Sequence, residues 1–122
     1  MTATTASAQQ IADEYVRAWL GGEVEKALGL IAEDVVCEAP TGQITGLAAY
    51  RQFLEPFVTT LVRGELVDVL GDEDHAATVY VVDTPVAKDI RGMEYLTVTG
   101  GKITHVISVF DLSPMIKAKA QG

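Results

Sequence analysis

Four runs in the second half of the chain constrain its fold most: "VRGELVDVLG", "HAATVYVVD", "IRGMEYLTVTG" and "KITHVISVFD". Each is rich in β-branched and aromatic residues, the types that fit a pleated, half-buried surface. Only "DED", "TPVAKD" and Gly100-Gly101 separate them. Connections that short join antiparallel neighbours, because a parallel pair needs a crossover of a dozen residues or more. The first half reads differently. "SAQQIADEYVRAWLGG" places Ile11, Tyr15, Ala18 and Trp19 on one helical face and ends at Gly21-Gly22. "EVEKALGLIAEDV" predicts a short second helix with a Val24, Ala27, Leu28 and Ile31 stripe, and "VVCEAP" a strand stopped by Pro40. "LAAYRQFLEPFVTTL" predicts a third helix, kinked or shortened at Pro56. Helices followed by a β meander define an α+β fold with the helices segregated to one side of a curved sheet. The hollow of such a sheet is a natural small-molecule pocket.

The remaining bulk properties exclude more than they assign. A chain of 122 residues, 48% of them hydrophobic, is one globular domain with a core large enough to need no metal or disulfide. We expect that domain over 6–112, with loose ends at 1–5 and 113–122. The net charge of −8 disfavours nucleic acid and anionic membrane surfaces, which call for a basic patch. No apolar run approaches the roughly 20 residues of a membrane span, and "MTATTASAQQ" has no apolar signal core. The lone Cys37 cannot form an internal disulfide and reads as a small buried hydrophobe, so a cytoplasmic location is expected. No phosphate-binding loop, "GxSxG", zinc pattern or dinucleotide fingerprint is present, and no cofactor is expected.

The stretch "YVRAWLGGEVEKALGLIAEDVVCEAPTG", followed by "GLAAYRQF" and the closing "GKITHVISVFD", resembles the nuclear transport factor 2-like superfamily and its SnoaL-like domains. Polyketide cyclases, ketosteroid isomerases and limonene epoxide hydrolases share that fold, and the resemblance spans Ile11 to Asp111. It implies a cone-shaped barrel: a mostly antiparallel sheet wrapped around three helices. It also implies functional positions. The isomerases use a Tyr on the first helix, an Asp before the Pro and an acid on a late strand. Here those positions carry Tyr15, Ala39 and Met93, with Glu38 one place off and Glu94 expected to face outward. The epoxide hydrolases use an Asp-Arg-Asp set, whose positions carry Asp83, Val81 and Ser108. Each set retains one member.

On the last strand, alternation sends Thr104, Val106, Ser108 and Phe110 to one face and Ile103, His105, Ile107 and Val109 to the other. His105 and Ser108 therefore form no dyad. The resemblance makes the Ser108 face the pocket side; the opposite face is too apolar for open water and reads as a subunit interface of a homodimer. Asp83 is the leading candidate acid or base, since a carboxylate held in a dry pocket has a raised pKa. Its alternative is a turn cap in Asp83-Thr84-Pro85. Tyr15 and Ser108 are the candidate hydrogen-bonding partners; Trp19, Phe53, Phe57, Val106 and Phe110 are the candidate walls. Asp72, Glu73, Asp74 and His75 sit together at a hairpin tip and read as a solvated loop rather than a metal site. Two functions follow. The first is a SnoaL-like enzyme of isomerase, cyclase or hydrolase type, moving protons on a hydrophobic, carbonyl-bearing or polycyclic substrate. The alternative is a binding or dimerisation module without turnover.

Overall fold

The computed structural model describes residues 7–111, 113, 116 and 117. In chain order the elements are α1 (Ala8–Leu20), α2 (Val24–Leu28), β1 (Ile31–Ala39), β2 (Gly42–Thr45), α3 (Leu47–Thr60), β3 (Arg63–Gly71), β4 (His75–Asp83), β5 (Ile90–Thr99) and β6 (Lys102–Phe110). The expected loose ends lie mostly outside the described residues; Ser113, Ile116 and Lys117 are helical.

The strands form one sheet in the order β2-β1-β6-β5-β4-β3. All pairs are antiparallel except β1 with β6. The order leaves β2 and β3 as edges, so hydrogen bonding does not close the sheet into a barrel. The fold class is thus α+β with a six-stranded, mostly antiparallel sheet.

Local sequence explains the element boundaries. Ser7 caps α1 through a reciprocal pair: its hydroxyl accepts from the Gln10 N–H at 3.2 Å, and the Gln10 side chain accepts from the Ser7 N–H at 2.9 Å. The stripe Ile11, Tyr15, Ala18 and Trp19 is buried. The second helix is shorter than its periodicity predicts. It stops at Leu28 before Gly29, and Ile31 already pairs with Ile103 as part of β1. α3 runs straight past Pro56 to Thr60 rather than ending there. Proline deprives the carbonyl four residues earlier of its donor; here that residue is the exposed Gln52.

The inner face of the sheet is assembled in rows by the register. One row is Cys37, Val106, Leu96 and Ala76, all buried against the helices. The next inward row is Ser108, Glu94 and Thr78, and the one after is Phe110, Gly92 and Tyr80. One expectation for β6 fails locally. Ile103 is buried and Thr104 is half-buried, because the pairing slips between Thr97 and Val98. That extra residue on β6 inverts the alternation below His105 and leaves it intact above.

Candidate functional site

Three inner-face polar residues stand in a single transverse row. Glu94 is the register partner of Thr78 on β4 and of Ser108 on β6. Among the described residues these three are the buried polar or charged ones. Above and beside the row lies a cavity of about 130 Å³. Its sheet wall carries Tyr80, Val82, Ile90, Glu94, Ser108 and Phe110, and its helical cover is Trp19, Phe53, Leu54 and Phe57. Trp19 meets Tyr80 edge-on, with ring centroids 4.8 Å apart, and Phe57 at 5.6 Å. Such tilted contacts are the favoured ones for aromatic rings and set the wall firmly. Gly92 makes the geometry possible: a Cβ there would collide with the Tyr80 phenol, which lies over the bare backbone.

Glu94 is 4% exposed and has no cation partner among the described residues. Burial pushes its carboxyl up to about 7, because desolvation disfavours the charged form. Among the described residues its Oε1 atom has no hydrogen-bond partner; neither do Thr78 Oγ1 and Trp19 Nε1. The Tyr80 phenol is held well above its ordinary pKa, first by burial and then by the negative charge Glu94 can carry; the Ser108 hydroxyl pulls the other way. Tyr80 therefore stays a neutral donor. Around Glu94 the residues of the wall thus carry hydroxyl groups and one carboxyl group raised by burial to about 7, just beneath a cavity surface that is apolar.

Asp83 departs from the expected role. It does not line the cavity. At the end of β4, opposite in parity to Val82, its side chain is 15% exposed and meets the Arg63 guanidinium at 3.0 Å. It also accepts from the Asp89 N–H at 2.8 Å. The guanidinium and that N–H hold its carboxyl below the usual range, the reverse of what an acid–base role in a dry pocket requires. Asp83 thus organises the turn that includes Asp89, a non-glycine residue at φ 55°.

Tyr15 is fully buried, but its hydroxyl is bonded to the Tyr50 hydroxyl and does not line the cavity. Burial raises the pKa of both phenols, with the Glu94 charge as the next cause, so the pair lies within electrostatic reach of the carboxyl. Trp19, Phe53, Phe57, Ser108 and Phe110 do line the cavity. Val106 does not: it is buried in the row of Leu96, Ala76 and Cys37. Cys37 is buried in that row, its thiol pushed up to about 12 mainly by desolvation.

The orientation expected for β5 is reversed. Met93 is 50% exposed on the outer face, and Glu94 faces inward. The strand contained the signal: Ile90, Glu94, Leu96 and Val98 share one parity, and the apolar members of that set are all buried. Met93 and Tyr95 obscure it by making the opposite face apolar as well. Tyr80 was legible by the same parity, between Thr78 and Val82 on β4.

His105 points away from the cavity and pairs with Glu38 at 2.7 Å on the outer face. His75 is exposed and stacks on Tyr95, with centroids 5.6 Å apart. Among the described residues no three His, Cys, Asp or Glu side chains cluster as a metal site would require, and no helix is long and apolar enough to cross a membrane.

Comparison with known proteins places this geometry in a family. The family model described as SnoaL-like domain matches residues 12–106. No curated protein matches the sequence significantly. Among solved structures, a protein from Kribbella flavida is 35% identical, with a TM-score of 0.88 over 97% of both chains. A second Kribbella flavida protein, described as a candidate ketosteroid isomerase, is 25% identical, with a TM-score of 0.71 over 89% of this chain and 82% of its own. A candidate polyketide cyclase from Pseudomonas putida, 21% identical over 93% of this chain and 98% of its own, shares the fold with a TM-score of 0.75. With a nuclear transport factor 2-like architecture and a family match covering most of its length, the chain belongs to the SnoaL-like domain family.

Proposed function

We propose that the chain is a SnoaL-like enzyme that moves a proton on a hydrophobic carbonyl compound bound in the cavity, with Glu94 as the acid–base group. One observation carries the reading. An unpaired carboxyl, neutral for part of the time at physiological pH, is buried at the wall of an otherwise apolar hollow. Burying such a group without a partner costs stability, and a carboxyl shifted by desolvation in a cleft is the mark of a functional site. In its charged form Glu94 takes a proton from the carbon beside the carbonyl. The Tyr80 and Ser108 hydroxyls hold the oxygen as negative charge develops on it. Glu94, now neutral, returns the proton to the same carbon or, where a carbon–carbon double bond adjoins it, to the far end of that bond as the double bond shifts next to the carbonyl, and no atom is gained or lost. In this reading the sheet bends around the helices as a cone and the domain works in the cytoplasm. Two copies associate through the outer face, where Met93 opposes Val109 and Tyr95 opposes Ile107.

A binding module without turnover is the second reading. It is favoured because, among the described residues, the cavity lining holds no other carboxylate and no His or Lys. Deuterium exchange at the carbon beside the carbonyl, followed by NMR over a panel of hydrophobic ketones, separates the two. An enzyme exchanges that proton, and Glu94→Gln stops the exchange while ligand still binds. Binding with no exchange in the wild type overturns the catalytic reading.

A further inference from the structure

We propose that the cavity selects a single six-membered carbocycle bearing one carbonyl oxygen, as in cyclohexanone, and excludes fused two-ring ketones. The inference rests on reading the cavity as the ligand site and adds its size and polarity.

Size comes first. The hollow measures about 130 Å³. A cavity of roughly 150 Å³ walled by aliphatic and aromatic side chains is filled by one benzene ring. A second fused ring has no room unless the wall retreats. The wall resists that, because Trp19 is locked between Tyr80 and Phe57, and Tyr80 lies against the Gly92 backbone. Close-packed interiors yield little to extra volume. Polycyclic substrates of the kind expected from the sequence are therefore too large for the cavity as it stands.

Polarity comes second. The lining residues that carry hydrogen-bonding groups are Trp19, Tyr80, Thr84, Ser108 and Glu94, and four of these five carry an N–H or O–H donor. Trp19 contributes an indole N–H that has no partner among the described residues. Tyr80 contributes a neutral phenol, and Ser108 a hydroxyl. Buried donors are costly to leave unpaired, so the complementary ligand carries an acceptor. Thr84 turns its hydroxyl to the Ala87 carbonyl, and apart from Glu94 the rest of the lining is apolar, which leaves room for one such oxygen rather than several.

Calorimetry on the wild-type protein tests both parts with three probes: cyclohexanone, the two-ring 2-decalone, and methylcyclohexane, which keeps the ring and lacks the oxygen. Cyclohexanone is expected to bind at least tenfold more tightly than either of the others. Equal or tighter binding of 2-decalone overturns the size limit while leaving the proton-transfer reading intact. Equal binding of methylcyclohexane overturns the requirement for an acceptor. Failure of all three to bind overturns the whole proposal. The deuterium-exchange result is independent of these outcomes, so loss of the catalytic reading with retained ring selectivity is recognisable. Phe57→Ala removes one wall and should admit 2-decalone; if that variant does not fold, the wild-type comparison still decides.

Discussion

Glu94 and Ser108 are direct cross-strand partners on the inner face of the sheet, both buried and both lining the same apolar cavity. Their pairing places a titratable group beside a hydroxyl at a depth where water is scarce. The electrostatic consequences are large because the local dielectric is low. They can be tested without knowing the substrate.

Glu94 makes the protein less stable as the solution becomes neutral. Its carboxyl titrates from 4.5 in the unfolded chain and at about 7 in the folded one. The folded state therefore binds more protons between those values. Its advantage is whole below the unfolded value and is lost as pH rises to the folded one. The loss is on the order of 3 kcal/mol. Denaturant melts of the wild type should fall in midpoint from pH 4.5 to 7 and flatten above, and Glu94→Gln should remove most of that slope. A wild-type midpoint that does not fall across this interval would show that the carboxyl is not desolvated.

Asp83 should matter for the turn and not for chemistry. Asp83→Asn is expected to leave ligand binding and proton exchange at wild-type levels. It should lower the melting temperature modestly at neutral pH, because the Arg63 pairing favours the charged carboxylate. The sign is opposite to that of Glu94: this stability is present above the carboxyl's unfolded value and is lost as pH falls through its lower folded value. A large loss of exchange with an unchanged melt would restore Asp83 to the site.

The Tyr15–Tyr50 hydroxyl pair gives an asymmetric prediction. Removing one member strands the other in a buried site, at a cost of about 1–3 kcal/mol; removing both leaves nothing unpaired. Tyr15→Phe and Tyr50→Phe should each destabilise more than the double variant does. Additive losses in chemical denaturation would indicate that the hydroxyls do not depend on one another.

Association through the outer sheet face is checked by Val109→Glu. Val109 is 58% exposed, opposite Met93, so the substitution costs the folded monomer little. In a dimer built on this face it would bury a charge. Light scattering should show a dimer for the wild type and a monomer for the variant. A monomeric wild type removes the dimer proposal.

The architecture was legible in the sequence because it depends on local periodicity. The stripe on α1, the Gly breaks and the alternation of β4 are determined by residues a few places apart. The aromatic wall was legible for the same reason, since Trp19, Phe53, Phe57 and Phe110 fall on buried faces whatever their partners. The acid was not. β5 has apolar residues on both faces, so alternation alone left Met93 and Glu94 as rivals, and comparison with the isomerases favoured the wrong one.

What the sequence by itself determined is the order of elements, their amphipathic faces and the inward side of most strands, since periods of 3.6 and 2 are written into neighbouring residues. Tertiary structure alone decided which carboxyl is desolvated. Asp83 lies near Arg63 and Glu94 does not, a difference set by strand pairing between residues 20 apart in the chain. A carboxyl's proton affinity depends on burial and neighbouring charge, and both are properties of the assembled sheet.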